Sequence, residues 1–417
     1  MPLPLLSLLG MVVFIALAWT LSSHKRRFPW RTVLWGLALQ FSFAVVILKT
    51  RAGRAVFDLT GNAIQKLIQF SNEGCRFVFG PLANGDTMGR LFPEQPLVFA
   101  VLVTGTIIIV SALSSLLYHW GILQKVVHAM AWVMRKAMRT SGSETLSAAA
   151  NIFMGQTEAP LLIKPYLPRM TRSELLCMMT GGMATIAGGV AAVYVKMGLD
   201  AGHPDIAGHL LTASVLSAPA ALLISKVILP ETEVSETAAS APAAVPRTTV
   251  NSIDALCRGA SEGMTLSINV IAMLIAFVAV VALANFLITL PQTELGVAHP
   301  VTLQMLFGWV NAPFAWLIGV PTQDCAAIGQ VLGERIVLNE FIGYASLNQL
   351  HVEPRSYALA AYALCGFANF ASIAIQVGGI GSLAPERRAD LARLGVRAMI
   401  GGLLASYLTA TVAGILL

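Results

Sequence analysis

Residues 151–160 read NIFMGQTEAP, and the fold turns on how this stretch is placed. It lies in a segment, 142–168, that is too polar and too broken by proline to cross a membrane, yet AAANIFM and APLLI flank its polar triplet. Gly155 and Pro160 bracket Gln156, Thr157 and Glu158, as expected at the tip of a re-entrant hairpin. Irregular backbone is tolerated at membrane depth only where protein or water covers it. The competing reading is a cytoplasmic turn with a solvated glutamate.

Working outward, a second stretch shares the layout. LNEF places Glu340 between VL and FIGY; RSYAL begins at Arg355 as RSELL begins at Arg172; and CGFANFASIA (365–374) answers GGMATIAGG (181–189). The spacing from Glu158 to Met183 nearly equals that from Glu340 to Phe367. One full apolar crossing, 266–290, separates the units, which leaves the second inverted. Inverted repeats with broken helices meeting at the midplane are a common transporter design.

Composition agrees. Of 417 residues, 56% are apolar and only 12% charged, against about 25% in soluble domains, and mean hydropathy is +0.73. This excludes a disordered chain, a nucleic-acid binder and an ordinary cytosolic enzyme. Windows at 3–22, 32–49, 97–118, 175–196, 207–229, 266–290, 356–380 and 397–417 are long enough to span. A ninth, 302–320, carries Trp309, Pro313 and Trp316 and reads as interfacial or re-entrant. Basic clusters at Lys25–Arg31, Lys125–Arg139 and Arg387–Arg397 fall on one side if both termini are outside, which makes that side cytoplasmic. The segment 50–96, with Arg51, Arg54, Lys66, Arg76 and Arg90, fits an outside location poorly. Residues 230–249 have a flexible-linker composition. Five cysteines and the scattered histidines (His119, His128, His203, His209, His299, His351) show no metal or disulfide spacing.

The polar residues inside these segments are the candidate site. Carboxylates at membrane depth are costly and usually functional, which singles out Glu158 and Glu340; the alternative for Glu340 is an interfacial side chain reaching water. Asn369 and Ser372, three apart, share a helical face, although such residues also glue helices together. Thr185 sits where glycines permit the helix to unwind, with Asn151 just ahead of the first tip. Amide, hydroxyl and carbonyl oxygens of this kind suit sodium; close helix packing is the plainer reading. Glu334 and Arg335 form a possible structural or gating pair, with Asp324 nearby.

GQTEAP, GGMATIAGGV, NEF with Gly333 seven residues ahead of Glu340, and CGFANFASIA together resemble the concentrative nucleoside transporter family of the bacterial, sodium-coupled type. SAAANIF and GSLAPERR fit the same family. The resemblance implies a homotrimer in which Gln156, Thr157, Glu158, Val190 and Phe367 take the nucleobase and Glu340, Asn369 and Ser372 the ribose. It implies a sodium site from Asn151 and Thr185 with the carbonyls of Met154 and Ile186. This chain departs from the family pattern at Arg335, where lysine is frequent, at Ile342 and Gly343, at Thr185 in place of serine, and at Thr322-Gln323-Asp324-Cys325.

The reading is therefore an all-α polytopic membrane protein, with about eight transmembrane helices, two re-entrant hairpins of inverted-repeat topology and interfacial helices. Residues 1–118 form scaffold helices with an outside interfacial segment, 119–229 the first transport repeat, 230–250 a cytoplasmic linker, 251–300 a scaffold span and 301–417 the second repeat. The expected function is import of a nucleoside such as uridine by sodium symport across a bacterial inner membrane, without a cofactor or nucleic-acid partner. Proton coupling through Glu158 or Glu340 is the alternative, and an intramembrane enzyme using both carboxylates is the rival from another class.

Overall fold

The computed structural model describes residues 2–92, 98–238, 249–298 and 300–417; His299 and residues 239–248 of the expected linker lie outside them. Among the described residues there is helix and no strand. Helices α1 (Leu3–Thr20), α2 (Trp30–Lys49), α3 (Arg51–Phe79), α4 (Gly85–Leu91) and α5 (Phe99–His119) come first. The unit α6 (Ile122–Met138), α7 (Gly142–Ala150), a 3-10 segment Ala159–Arg169, α8 (Arg172–Ala184), α9 (Gly188–Asp200) and α10 (Ile206–Ile228) follows. After α11 (Ser252–Glu294) the order recurs as α12 (Leu303–Ile318), α13 (Cys325–Val337), α14 (Glu340–Leu347), α15 (Pro354–Leu364), α16 (Phe370–Leu383) and α17 (Arg388–Leu416).

By length and apolarity Leu3–Thr20, Trp30–Lys49, Arg172–Asp200, Ile206–Ile228, Ser252–Glu294 and Pro385–Leu416 can each cross a membrane. Val103–His119 and Ile122–Met138 pass that test together, with a bend of 76° between them. The expected span 356–380 comes instead as α15 and α16, two helices each too short to cross alone. The expected 266–290 is the core of a longer helix, because Asn251 caps α11 by accepting from the Asp254 N–H and the polar turns beyond it remain helical.

Small residues set the close packing. Gly259 and Gly263 lie one turn apart on α11 against α5, where a Cβ would meet the Ser111 carbonyl at 2.6 Å and Ile108 Cα at 2.8 Å. Backbones approach this closely only at glycine.

Contacts between the ends sort the molecule into two faces. At one, Arg397 donates to Ser23 Oγ, the Ser23 N–H to the Ile228 carbonyl, Arg31 to the Ala137 carbonyl and Arg387 to the Pro168 and Met170 carbonyls. The three basic clusters thus share a face, as their sequence positions suggest. The outer stretch 231–237 is no free linker: Thr237 is buried, and the Gly142 N–H donates to its carbonyl. The cause is a buried polar cluster that needs it. Lys226 Nζ lies 2.6 Å from Glu144, 3.2 Å from Glu231 and 2.9 Å from Ser173 Oγ, while Ser235 donates to Glu174. A buried charge must be paired and hydrogen-bonded. At the opposite end α3 meets the start of α10, with Phe57 against Gly208 and Gly61 near Ala207. The basic residues of 51–79 therefore belong to an element placed far from the other clusters.

Candidate functional site

Two helix breaks cross at the centre. α8 stops at Ala184, Thr185 is extended, and α9 restarts at Gly188; α15 stops at Leu364 and α16 restarts at Phe370. A Cβ on Gly366, in the second break, would sit 2.7 Å from the Met183 carbonyl oxygen and 3.0 Å from Ser406 Oγ. Only a glycine lets the breaks touch. Broken helices leave carbonyls at one half-helix end and N–H groups at the other without intrahelical partners, with opposite partial charges.

Side chains fill those ends. Asn369 is the N-cap of α16, and its Oδ1 accepts from the Ser372 N–H at 2.9 Å. Asn339 caps α14 in the same way, accepting from Ile342. The expectation that Asn369 and Ser372 share a helical face is corrected here: Asn369 stands outside the helix, because a cap needs extended backbone. Its Nδ2 then donates to Glu340 Oε2 at 2.9 Å, while the Tyr194 hydroxyl donates to Oε1 at 3.1 Å. Glu340 is only 4% exposed. Its carboxylate thus lies beside the starts of α14 and α16, where helix dipoles favour negative charge.

From the other tip, Gln156 Nε2 donates to Ser372 Oγ at 3.2 Å, and Gln376 Nε2 reaches Gln156 Oε1 at 3.1 Å and the Met179 carbonyl at 3.0 Å. Gln156, Glu340, Asn369 and Ser372 form part of one buried polar network across the repeats. Thr157 packs on α16, where its methyl would lie 2.7 Å from a Cβ at Gly379. Glu158 turns elsewhere. Its Oε2 accepts from the Gly155 N–H at 3.0 Å, and the side chain faces a cavity of about 630 Å³ lined also by Ser111, Tyr118, Met154, Tyr166 and Glu262. That volume suits a small-molecule ligand. Glu340 does not line it.

Asn151 follows α7 directly and faces Gly181 in the last turn of α8. Both atoms of its amide are buried without a hydrogen-bond partner. The Thr185 hydroxyl, donating to the Gly181 carbonyl at 3.0 Å, keeps lone pairs to offer. An orphaned buried amide oxygen and a hydroxyl oxygen, both beside Gly181, are donors of the kind a hard monovalent cation takes, and Met154 and Ile186 lie in the non-helical stretches next to Asn151 and Thr185 in the chain. Val190 is buried on α9 and Phe367 half-buried in the second break.

Sequence reasoning overlooked Gln376 and Tyr194, although each is a polar side chain inside an apolar helix. It also paired Glu334 with Arg335. Instead, Glu334 accepts from Gln330 at 3.0 Å while Arg335 donates to the Ala363 carbonyl and Ser406, because α13 sends adjacent side chains to different neighbours. Asp324 ties the Thr322–Cys325 departure to α15, accepting from the Glu353 N–H and the Ser356 hydroxyl.

Comparison with known proteins places the arrangement. The family described as "Na+ dependent nucleoside transporter" matches through its C-terminal model over residues 209–414 and its N-terminal model over 9–82, and a "nucleoside recognition" gate matches 100–200. An uncharacterized transporter of Haemophilus influenzae is 42% identical over 420 residues, covering 98% of this chain and 97% of its own length. The chain belongs to the sodium-dependent nucleoside transporter family. Sodium/nucleoside cotransporter 2 of Rattus norvegicus is 37% identical over all of this chain and 63% of that relative. A solved structure of CNTnw in an inward-facing, substrate-bound state superposes with a TM-score of 0.91 at 38% identity, covering 99% of this chain and 97% of the other. A family of this kind transports, so the buried carboxylates belong to a transporter and not to an enzyme, and the apolar helices to an integral membrane protein.

Proposed function

We propose that this chain imports nucleosides by sodium symport, with Glu340, Asn369, Ser372 and Gln156 as the centre of the substrate site. The observation that carries the reading is the buried network joining both repeats at the crossing of the two breaks, next to the unpartnered Asn151 amide. Glu340 and Asn369 offer the paired acceptors and donors that a ribose diol requires. Gln156, Thr157 and Glu158 offer a nucleobase edge both donors and acceptors, with Val190 and Phe367 as apolar walls. Gln156, Ser372, Asn369 and Glu340 now satisfy one another, so a nucleoside enters by replacing those hydrogen bonds with its own, and Glu158 joins them by turning from the cavity that it faces. Asn151, Thr185 and the carbonyls of Met154 and Ile186 would hold sodium beside the negative end of α8.

In this reading residues 119–229 and 301–417 form the moving transport unit, and 1–118 with 251–300 the scaffold. The tips at 151–158 and 338–339 enter the membrane from opposite faces. The exposed apolar side of α11, with Ile268, Ile275, Leu283 and Phe286, meets lipid or the scaffold of a homotrimer. The face carrying the three basic clusters is cytoplasmic in a bacterial inner membrane, with both termini outside. A coupled cation is physically useful because an uncharged nucleoside gains nothing from voltage, whereas each sodium charge contributes about 2.3 kcal/mol per 100 mV.

Uptake of labelled uridine into proteoliposomes tests the reading. An inward sodium gradient should drive accumulation, and a proton gradient in sodium-free medium should not. Accumulation that follows protons alone would transfer the coupling role to a carboxylate such as Glu158 or Glu340.

A further inference from the structure

In each repeat, a residue at the end of the hairpin's first arm faces the last turn of a half-helix. The two meeting points differ in chemistry. In the first, Asn151 at the end of α7 faces Gly181 near the end of α8 and leaves its amide unpartnered. In the second, the place is taken by Arg335, in the last turn of α13 and wholly buried. Its guanidinium donates to the Ala363 carbonyl, in the last turn of α15, and at 3.0 Å to Ser406 Oγ on α17.

Among the described residues no carboxylate lies within 4.0 Å of this guanidinium. A cation stripped of water is costly unless something opposes its charge. What its donors reach is the carbonyl end of α15, where the helix carries partial negative charge, with the Glu340 carboxylate acting on it from beyond contact distance; the Tyr344 hydroxyl occupies the neighbouring Ala361 carbonyl at 2.9 Å. The half-helix ends of α8 and α15 are thus electrostatically alike. One faces an orphaned amide, and the other already holds a charged group.

We propose that Arg335 is a tethered cation, filling in the second repeat the counterpart of the sodium site between Asn151 and Thr185. This inference rests on the proposed sodium coupling. It makes Arg335 a positioning residue: the guanidinium pins the second hairpin to the break in α15–α16, and so holds Glu340 where Asn369 can reach it. It also explains how a chain with two negative half-helix ends can work with a free cation at only one of them.

The test is sodium-titrated uridine uptake in proteoliposomes for wild type, Arg335→Lys and Arg335→Met. Lysine keeps the charge but lacks the planar fork, so it should retain most uptake and an unchanged steepness of sodium dependence. Methionine should lower uptake at low sodium by about tenfold or more, since it leaves buried carbonyl partners unsatisfied. Its uptake should recover at high sodium along a steeper curve, as a second free ion takes the vacated place. Equal sodium curves for all three proteins, or a lysine variant as impaired as the methionine variant, overturn the proposal. A methionine variant that fails to fold leaves the lysine comparison to decide. Wild-type uptake indifferent to sodium defeats the coupling reading itself, and is distinguishable because it appears before any variant is compared.

Discussion

Glu340 is held by a tyrosine hydroxyl and an asparagine amide, and the proposed function has sugar hydroxyls take their place. A neutral isostere tests that directly. Glu340→Gln keeps the volume but weakens every bond the carboxylate accepts, and hydrogen bonds to charged groups contribute about 1.5–3 kcal/mol each. Uridine affinity, read by calorimetry on purified protein, should fall by roughly tenfold to a hundredfold, while elution on size exclusion stays unchanged. Wild-type affinity in this variant would remove Glu340 from the substrate site. Glu340, Gln156 and Ser372 were legible in the sequence because each is polar within an apolar segment and has a neighbour in the repeat. Gln376 and Tyr194 obeyed the first rule but not the second, so nothing marked them. The capping role of Asn369 was not legible, since a continuous apolar window hides a break inside it.

At the scale of elements, what matters is that two helices break and touch at their breaks. Glycine clustering announced the break at 185–187, because flexible backbone is what unwinding needs. The long polar start of α11 was invisible to hydropathy, which detects apolarity and not helix. The crossing itself predicts an asymmetric response to added methyl groups. A Cβ at Gly366 would meet the Met183 carbonyl at 2.7 Å, whereas Gly378 on α16 has nothing within 4 Å. Gly366→Ala should therefore destabilise by about 1–3 kcal/mol through overpacking and lower the melting temperature in detergent. Gly378→Ala should be neutral or slightly stabilising, by up to about 1 kcal/mol, because alanine is the better helix former. Equal melting temperatures for the two variants would mean the breaks do not hold each other as described.

For the whole molecule, charge placement and packing can be checked against each other. α1 and α17 run antiparallel: Ser7 donates to the Ile318 carbonyl near Gly414, while Ser23 meets Arg397 at the far end. The basic clusters gather at that far end. α6 bends 76° from α5, so it runs crosswise there, carrying contacts from Trp120–Ser252 to Arg31–Ala137. The start of α11 is thereby placed on the basic face. Cys257 lies in that stretch and is exposed, whereas Cys75, Cys177, Cys325 and Cys365 are buried. If the positive side is cytoplasmic, a membrane-impermeant maleimide should label the protein in inside-out vesicles and not in intact, right-side-out cells, and Cys257→Ser should abolish the labelling. Labelling from the outer side that disappears in Cys257→Ser would invert the proposed topology, and with it the proposed direction of the two hairpin tips.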